Sequence, residues 1–200
     1  MKGSAVTPTI LRDLRSLIIA VVHPPDDDRN ELIEQLQRIG CKVEVFWPKL
    51  DTLPAGTGLV MMAVRPETLS STFPWAGEAN SPPVIAIVTF ENPVTVEAVL
   101  QLNAFSTIPS PVRPFGVLTS IAVALSQWKT ARSRDRYIAR LEQKQAKQRT
   151  IQQAIRIFMS THGLSEDEAY QRLRAKAMVN REVIEEVANA IVKAHDLLRL

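Results

Sequence analysis

The sequence of 200 residues is poor in the features that secreted and membrane proteins need. Its single cysteine, Cys41, excludes an intramolecular disulfide and suits a reducing cytosol, and we expect that thiol to be buried and inert. The sequence contains no signal peptide and no apolar run of membrane-spanning length. We therefore expect a cytoplasmic protein that makes no contact with a membrane.

Motifs for catalysis and for cofactor binding are also missing. The histidines His23, His162 and His195 are far apart and lack the spacing of metal ligands. There is no nucleophile and base motif and no glycine-rich phosphate loop. Three consecutive carboxylates, Asp26 to Asp28, could hold a metal, but a helix N-terminus favours negative charge there, so helix capping is the favoured interpretation. The sequence predicts no enzyme, no metal and no cofactor.

Charge is distributed unevenly, although the net charge is only +3. Residues 1–128 carry nine basic and twelve acidic side chains, and residues 151–200 carry seven of each. Residues 129–150 carry eight basic and two acidic side chains. This basic connector indicates attraction of phosphate groups near the middle of the chain.

The chain is divided into four predicted segments. They are a tail at 1–12, an α/β domain at 13–116, a long helix at 117–149 and a small helical domain at 150–200. An apolar content of 46% is enough for a packed core.

The α/β domain is predicted from alternating strand-like and helix-like segments. Five aliphatic segments read as strands, at residues 17–22, 42–46, 59–64, 84–89 and 105–108. Helices are expected at 26–39, closed by Gly40, and at 93–102. This order predicts a flavodoxin-like, five-stranded parallel sheet with helices on both faces. The stretch 65–83 should be irregular, with a reduced helix near 68–73.

A long helix is predicted from Pro114 to Thr150, because proline suits a first turn and neither glycine nor proline interrupts the segment after Gly116. One face continues through Ile121, Leu125 and Trp128. A second seam has heptad-like spacing and runs through Ala124, Ala131, Ile138, Leu141, Gln145 and Gln148.

We predict a parallel homodimer with a short coiled coil in this helix, helped by the α/β domain. The predicted dimerisation residues are Leu125, Trp128, Ala131, Ile138 and Leu141. The alternative is a monomeric helix that extends into solvent, which would leave Ile138 and Leu141 exposed.

The last fifty residues have the pattern of three short amphipathic helices. The apolar positions of the first are Ile151, Ala154, Ile155, Phe158 and Met159. Gly163 ends this helix, and Ser165 with Glu168 has the spacing of a capping box that starts the second near Glu166. The stripe of the second helix is Ala169, Tyr170, Leu173 and Ala177.

Asn180 is expected to cap the third helix. The apolar residues of that helix are Val183, Ile184, Val187, Ile191 and Val192. None of the three helices is long enough to stand alone in water, so their stripes predict a three-helix bundle. We expect Phe158 and Tyr170 in its core, in preference to stacking on bases.

This combination of residues resembles the ANTAR module, an RNA-binding domain of bacterial transcription antiterminators. The matching segments are Ala154–Met159, Gly163–Ser165, Glu168–Tyr170, Leu173–Arg174, Ala177–Met178 and Val187–Ala188. Family members often place a lysine where this chain has Ile155, which moves the expected RNA contact away from the first helix. The resemblance implies a regulator of transcription elongation.

RNA loops are bound by planes that stack on unpaired bases and by basic side chains on phosphates. The predicted RNA-binding residues are Arg172, Arg174, Lys176 and Arg181, followed by Arg156 and Asn180. Arg174 is favoured because it also lies on a family motif. The alternative is a solvated face balanced by nearby carboxylates, at Glu166, Glu182, Glu185 and Glu186.

The α/β domain resembles the receiver domain of two-component response regulators but lacks its chemistry. A receiver needs an acidic pair after its first strand, a phosphoacceptor aspartate after its third and a lysine before a proline after its fifth. Those positions here hold His23 and Pro24, then Ala63, then Ser110, while Thr89 survives at the hydroxyl position. The resemblance implies a pseudo-receiver with a degenerate phosphorylation site.

Among antiterminators the chain resembles the AmiR type, which regulates amidase operons. The similarity is carried by the missing phosphoacceptor and by three short segments, Pro24–Pro25, Arg38–Cys41 and Trp47–Pro48. It implies control by a ligand-sensing repressor protein of the AmiC type, similar to a periplasmic binding protein. The segment 65–83 and the exposed faces of the long helix are candidate surfaces for such a partner.

We therefore predict a phosphorylation-independent antitermination regulator that binds paired hairpin loops in leader RNA as a dimer. A DNA-binding transcription factor is one alternative, but the third helix holds Glu182, Glu185 and Glu186 where a basic recognition helix would be needed. An adaptor that binds only proteins is the other.

Overall fold

The computed structural model describes residues 14–69, 73–76, 78 and 80–197. The predicted tail at 1–12 lies outside these residues. The chain forms two compact units, which meet in sequence between Arg132 and Ser133. None of the helices in the described ranges is long and apolar enough to cross a membrane.

The first unit is built on a parallel sheet of five strands. They are β1 (Ile18–Val22), β2 (Lys42–Phe46), β3 (Thr57–Val64), β4 (Val84–Val88) and β5 (Ala104–Pro109). The order is β2-β1-β3-β4-β5, and all neighbouring strands are parallel. The predicted flavodoxin-like sheet is confirmed. Its inner strands β1, β3 and β4 are aliphatic and almost entirely buried, as expected where helices or loops cover both faces.

Among the described residues, three helices lie between these strands. They are α1 (Asp27–Ile39), α2 (Pro66–Leu69) and α3 (Pro93–Gln101). The Asp26 side chain accepts from the Arg29 amide at 2.9 Å, so the predicted cap at the start of α1 is confirmed. Gly40 ends the helix with a left-handed φ of 97°. Helix α2 begins before the predicted position near 68–73, and residues 70–72 are outside the description.

Alternate residues along the strands face two separate cores. One face packs against α1 and the beginning of the long helix α4 (Pro114–His162), through Leu32, Leu36, Val117, Ile121 and Ala124. The opposite face packs against the loops that hold Leu50 and Trp75. The Trp75 indole donates to the Leu50 carbonyl at 2.7 Å, which satisfies its polar atom inside the second core.

Helix α4 is longer than predicted. Phe115 and Gly116 have non-helical backbone, with Gly116 at a φ of 99°, and the regular helix continues from there to His162. The predicted end at Thr150 is wrong, because residues 151–162 contain no glycine or proline and continue the helical pattern. The helix ends at Gly163, which has a left-handed φ of 67°.

Helix α5 (Glu166–Asn180) begins with the predicted capping box. The Ser165 amide donates to the Glu168 carboxylate at 2.9 Å, and the Glu168 amide donates back to the Ser165 hydroxyl at 3.4 Å.

The expected role of Asn180 as the cap of the third helix is wrong. Asn180 is the last residue of α5, and Arg181 follows in the left-handed conformation at a φ of 58°. Helix α6 (Ile184–Leu197) starts later, where the Val183 carbonyl accepts from the amides of Glu186 and Val187. Asn180 has a favourable cap side chain, but the apolar stripe of α5 holds the last turn in helical form up to that residue.

The second unit has its own core, to which α4, α5 and α6 contribute. Its buried residues are Ala154, Ile155, Ala169, Leu173, Ala177, Val187 and Ala188. Phe158 packs against this cluster, whereas Tyr170 is 41% exposed. The expectation of a core position is therefore wrong for Tyr170, because it lies about 100° around the helix from Ala169, which occupies the buried stripe.

Candidate functional site

The residues predicted to form a degenerate phosphorylation site lie at the carboxyl edge of the sheet. His23 directly follows β1, Ala63 lies near the end of β3, Thr89 follows β4 and Ser110 follows β5. Strand pairing sets Ala63 beside Ile87, and alternation along each strand puts these four predicted positions on one face of the sheet. The structure therefore brings together the positions that the receiver resemblance selected.

His23 is fully buried where a receiver has an acidic residue. Its Nδ1 lies 3.1 Å from the Pro24 carbonyl oxygen and 3.1 Å from an Asp26 carboxylate oxygen. The other Asp26 oxygen is 3.8 Å from the Arg65 guanidinium. The Asp26 carboxylate thus contacts both His23 and Arg65. The ranges that the structure describes contain no group of three or more potential metal ligands.

Asp28 connects the start of α1 to the loop that follows β5. One of its carboxylate oxygens accepts from the Ser110 hydroxyl, and the other accepts from the Val112 amide at 2.8 Å. The sequence predicted Asp28 only as one of three carboxylates at a helix N-terminus. It did not predict the contact with Ser110 and Val112. The partners are more than eighty residues apart, and no local pattern indicates that they meet.

Ala63 and Thr89 complete this site. The Ala63 side chain is fully buried and offers only a methyl group, so the acyl phosphate of a receiver cannot form at this position. The Thr89 hydroxyl is buried and has no hydrogen-bond partner among the residues described. The hydroxyl thus remains at its receiver position, but the carboxylate that would carry phosphate beside it is missing.

The predicted RNA-binding residues of α5 lie on two different flanks of the helix. The buried stripe of Ala169, Leu173 and Ala177 runs between them. At about 100° per residue, Arg174 lies on one side of that stripe, whereas Arg172 and Lys176 lie on the other. All three side chains are exposed. The structure therefore does not bring them together on a single surface.

The flank that holds Arg172 also holds a carboxylate. The pKa of Glu168 is lowered, first by the hydrogen bonds it accepts from the amide and the hydroxyl of Ser165 and then by the positive charge of Arg172. Arg172 lies one turn beyond Glu168, so part of its charge is balanced within the helix.

The remaining predicted RNA-binding residues, Arg156, Asn180 and Arg181, lie on α4 and at the end of α5. Arg181 is exposed in the turn that ends α5, and the neighbouring Asn180 donates to the Glu182 carboxylate at 3.4 Å. Arg156 is exposed on α4, directly after the buried Ile155. Burial of Ile155 agrees with the expectation that the first helix of the module makes no RNA contact at that position.

The predicted dimerisation residues divide into two sets. Leu125 is buried in the core of the first unit. Trp128 donates to the Ser81 carbonyl at 2.9 Å, and the Arg132 guanidinium lies 4.9 Å from the centre of its ring. By contrast, Ile138 is 52% exposed and Leu141 is 48% exposed. An apolar seam with about half of its surface exposed therefore begins after Ala131, which is half-buried.

Comparison with known proteins identifies two families in this chain. Residues 17–125 match the family described as AmiR, N-terminal, and residues 139–192 match the ANTAR domain. Over 186 residues the chain is 27% identical to the aliphatic amidase regulator of Pseudomonas aeruginosa. The alignment covers 92% of this chain and 95% of that protein.

Two solved structures are also similar. Response regulator StyR aligns with a TM-score of 0.49 and 17% identity, over 90% of this chain and 99% of that one. A CheY-like response regulator from Mesorhizobium loti aligns with a TM-score of 0.41 and 16% identity, over 53% of this chain and 96% of that one.

Proposed function

This chain belongs to the AmiR N-terminal family and carries an ANTAR domain, which makes it an antiterminator-type regulator of transcription, and on that premise we propose that it binds paired hairpin loops in a leader RNA as a dimer. The observation that carries the proposal is the ANTAR match at residues 139–192, which covers the three-helix core of the second unit. Stabilised hairpins would exclude an overlapping terminator and allow transcription to continue.

RNA binding is supported by the surface of this second unit. Basic side chains are exposed at Arg172, Arg174, Lys176 and Arg181, and none of them is needed for the buried core. Residues 133–150 of the same unit add six basic and two acidic residues. Such a surface attracts the phosphates of RNA, while loop recognition requires groups that meet unpaired bases.

Dimerisation is supported by the exposed seam of α4. Ile138 and Leu141 lie three residues apart on a helix with heptad-like spacing, and burial against a second copy would remove both from water. A dimer holds two RNA-binding modules together. If two hairpin loops lie within reach, this linkage raises the overall affinity by roughly 10² to 10⁴.

Control without phosphorylation is supported by the degenerate site. Ala63 replaces the phosphoacceptor, and His23, which occupies a position of the acidic pair, is buried in contact with Asp26. We assign no catalytic activity to the chain. Regulation would instead come from a ligand-sensing repressor protein of the AmiC type, in keeping with the likeness to an amidase regulator. The described part of segment 65–83 and the exposed faces of α4 are the surfaces we assign to that partner.

The experiment is a titration of the full chain against three nucleic acids of equal length. They are an RNA with two hairpins, an RNA with one hairpin and a duplex DNA. Preference for the two-hairpin RNA supports the proposal. Equal or stronger binding to the duplex would favour a DNA-binding regulator, although the acidic first turn of α6 at Glu185 and Glu186 opposes that function. Absence of binding to all three would leave a protein adaptor.

A further inference from the structure

Tyr170 is exposed although its position in the sequence suggested a place in the core. Tyr170 is 41% exposed, and the buried stripe of α5 is completed without it by Ala169, Leu173 and Ala177. A large aromatic ring on the surface of a small domain keeps much of its apolar area in water. It is therefore a good candidate for contact with a ligand that has a flat, apolar face.

Tyr170 shares its flank of α5 with two other exposed side chains. Arg174 is four residues further along the helix and Met178 another four, so the three lie in one row. Met178 is 66% exposed, and Arg174 is exposed as well. We name this row, Tyr170, Arg174 and Met178, the aromatic flank.

The opposite side of α5 has a different chemistry. Arg172 and Lys176 are exposed there, together with the aliphatic Val179 and the Glu168 carboxylate at the first turn. It has positive charge but no aromatic ring. Charge alone binds phosphates without distinguishing a loop from a stem, whereas an unpaired base needs a plane to stack on.

We propose that the aromatic flank is the surface of α5 that binds unpaired loop bases, and that Arg172 and Lys176 contact no base. Tyr170 stacks on one base, the planar guanidinium of Arg174 stacks on a base or bonds its edge, and the Met178 thioether packs against an apolar base face. This inference rests on the proposed function and specifies which side of the module faces the RNA loop.

The test uses the full chain and the two-hairpin RNA. Tyr170→Ala should weaken binding about 5- to 150-fold, since stacking on one base contributes roughly 1–3 kcal/mol. Tyr170→Phe should bind like the wild type because it keeps the ring. Val179→Ala is the matched control on the opposite flank, because Val179 is exposed and carries no charge, and it should leave binding nearly unchanged. Circular dichroism of each variant verifies that the helices remain intact.

A second measurement identifies the stacked base and separates binding from folding. Each loop base is replaced in turn by an abasic nucleotide. One replacement should weaken binding of the wild type but should weaken binding of Tyr170→Ala no further, because the ring and the base act as a pair. A structural role for Tyr170 would give additive losses at every position and would overturn the inference.

The outcomes also separate this inference from the proposed function. If the wild type binds the two-hairpin RNA and Tyr170→Ala binds as well as Val179→Ala, the aromatic flank is not the base-binding surface, although RNA binding stands. If the wild type does not bind the RNA at all, the proposed function fails, and this inference fails with it.

Discussion

At the scale of single residues, two polar side chains at the predicted phosphorylation site, His23 and Ser110, are each engaged with a carboxylate at the start of α1. Asp28 shows this most directly, because its two oxygens accept from the Ser110 hydroxyl and the Val112 amide. In a receiver, the position of Ser110 holds a lysine. Here the start of α1 and the loop after β5 are joined by hydrogen bonds to one carboxylate.

Replacement of Asp28 should therefore destabilise the first unit. Asp28→Ala leaves two partly buried donors unpaired, which we expect to lower the free energy of unfolding by about 1–3 kcal/mol. Asp27→Ala is the matched control: Asp27 is exposed, and its removal affects only the interaction with the helix dipole, about 0.3–1 kcal/mol. Urea unfolding followed by tryptophan fluorescence measures both variants. Equal midpoints for the two would contradict this role of Asp28.

At the scale of whole elements, the start of α5 depends on the ionised form of Glu168. The hydrogen bonds from Ser165 lower the pKa of Glu168 in the folded chain. The ionised carboxylate therefore stabilises the folded state fully above the ordinary pKa of a glutamate. This stabilisation is lost as the pH falls through the lower pKa of the folded state. Helix content of the wild type should fall in acid more than that of Glu168→Gln. Circular dichroism between neutral pH and pH about 3 is the measurement, and parallel curves would refute the assignment.

The exposed seam of α4 gives a second prediction for an element. Ile138→Glu places a charge in the seam and should weaken self-association at least tenfold, since burial of an unpaired carboxylate opposes dimerisation. Ala139→Glu adds the same charge one residue further along, outside the seam, and should leave association nearly unchanged. Sedimentation equilibrium distinguishes the variants. A wild-type chain that is monomeric at every concentration would rule out the seam as an interface.

The ends of most elements could be predicted from local chemistry. Strand β2 has the predicted bounds, Asp26 and Gly40 delimit α1, and the Ser165 capping box starts α5. The failures lie where a local preference competes with packing. Asn180 is a good cap, but the helix before it continues through that residue.

Tertiary contacts could not be predicted from the sequence. The exposure of Tyr170 depends on which neighbouring position fills the core, and a continuous apolar stripe does not determine this. Likewise, the contact of Asp28 with Ser110 joins segments that are distant in sequence. Residue types predicted the loss of phosphoacceptor chemistry, whereas only the fold shows what the substituted side chains now contact.

At the scale of the whole molecule, the chain combines an AmiR N-terminal domain with an ANTAR domain. A small phosphodonor with magnesium should leave its mass and its self-association unchanged, because Ala63 provides no acceptor oxygen. Mass spectrometry and sedimentation of the treated protein check this. A mass increase of one phosphoryl group, mapped to the sheet edge, would contradict the proposed independence from phosphorylation.

Transcription in vitro is the most direct test of antitermination by a dimer. The template encodes a leader with two hairpins, the second of which overlaps a terminator, and purified RNA polymerase transcribes it with increasing amounts of the chain. Read-through should rise with the wild type and with Ala139→Glu, but not with Ile138→Glu or on a leader that lacks the first hairpin. Unchanged read-through at saturating wild-type protein, or equal activation by Ile138→Glu, would contradict the proposed mechanism.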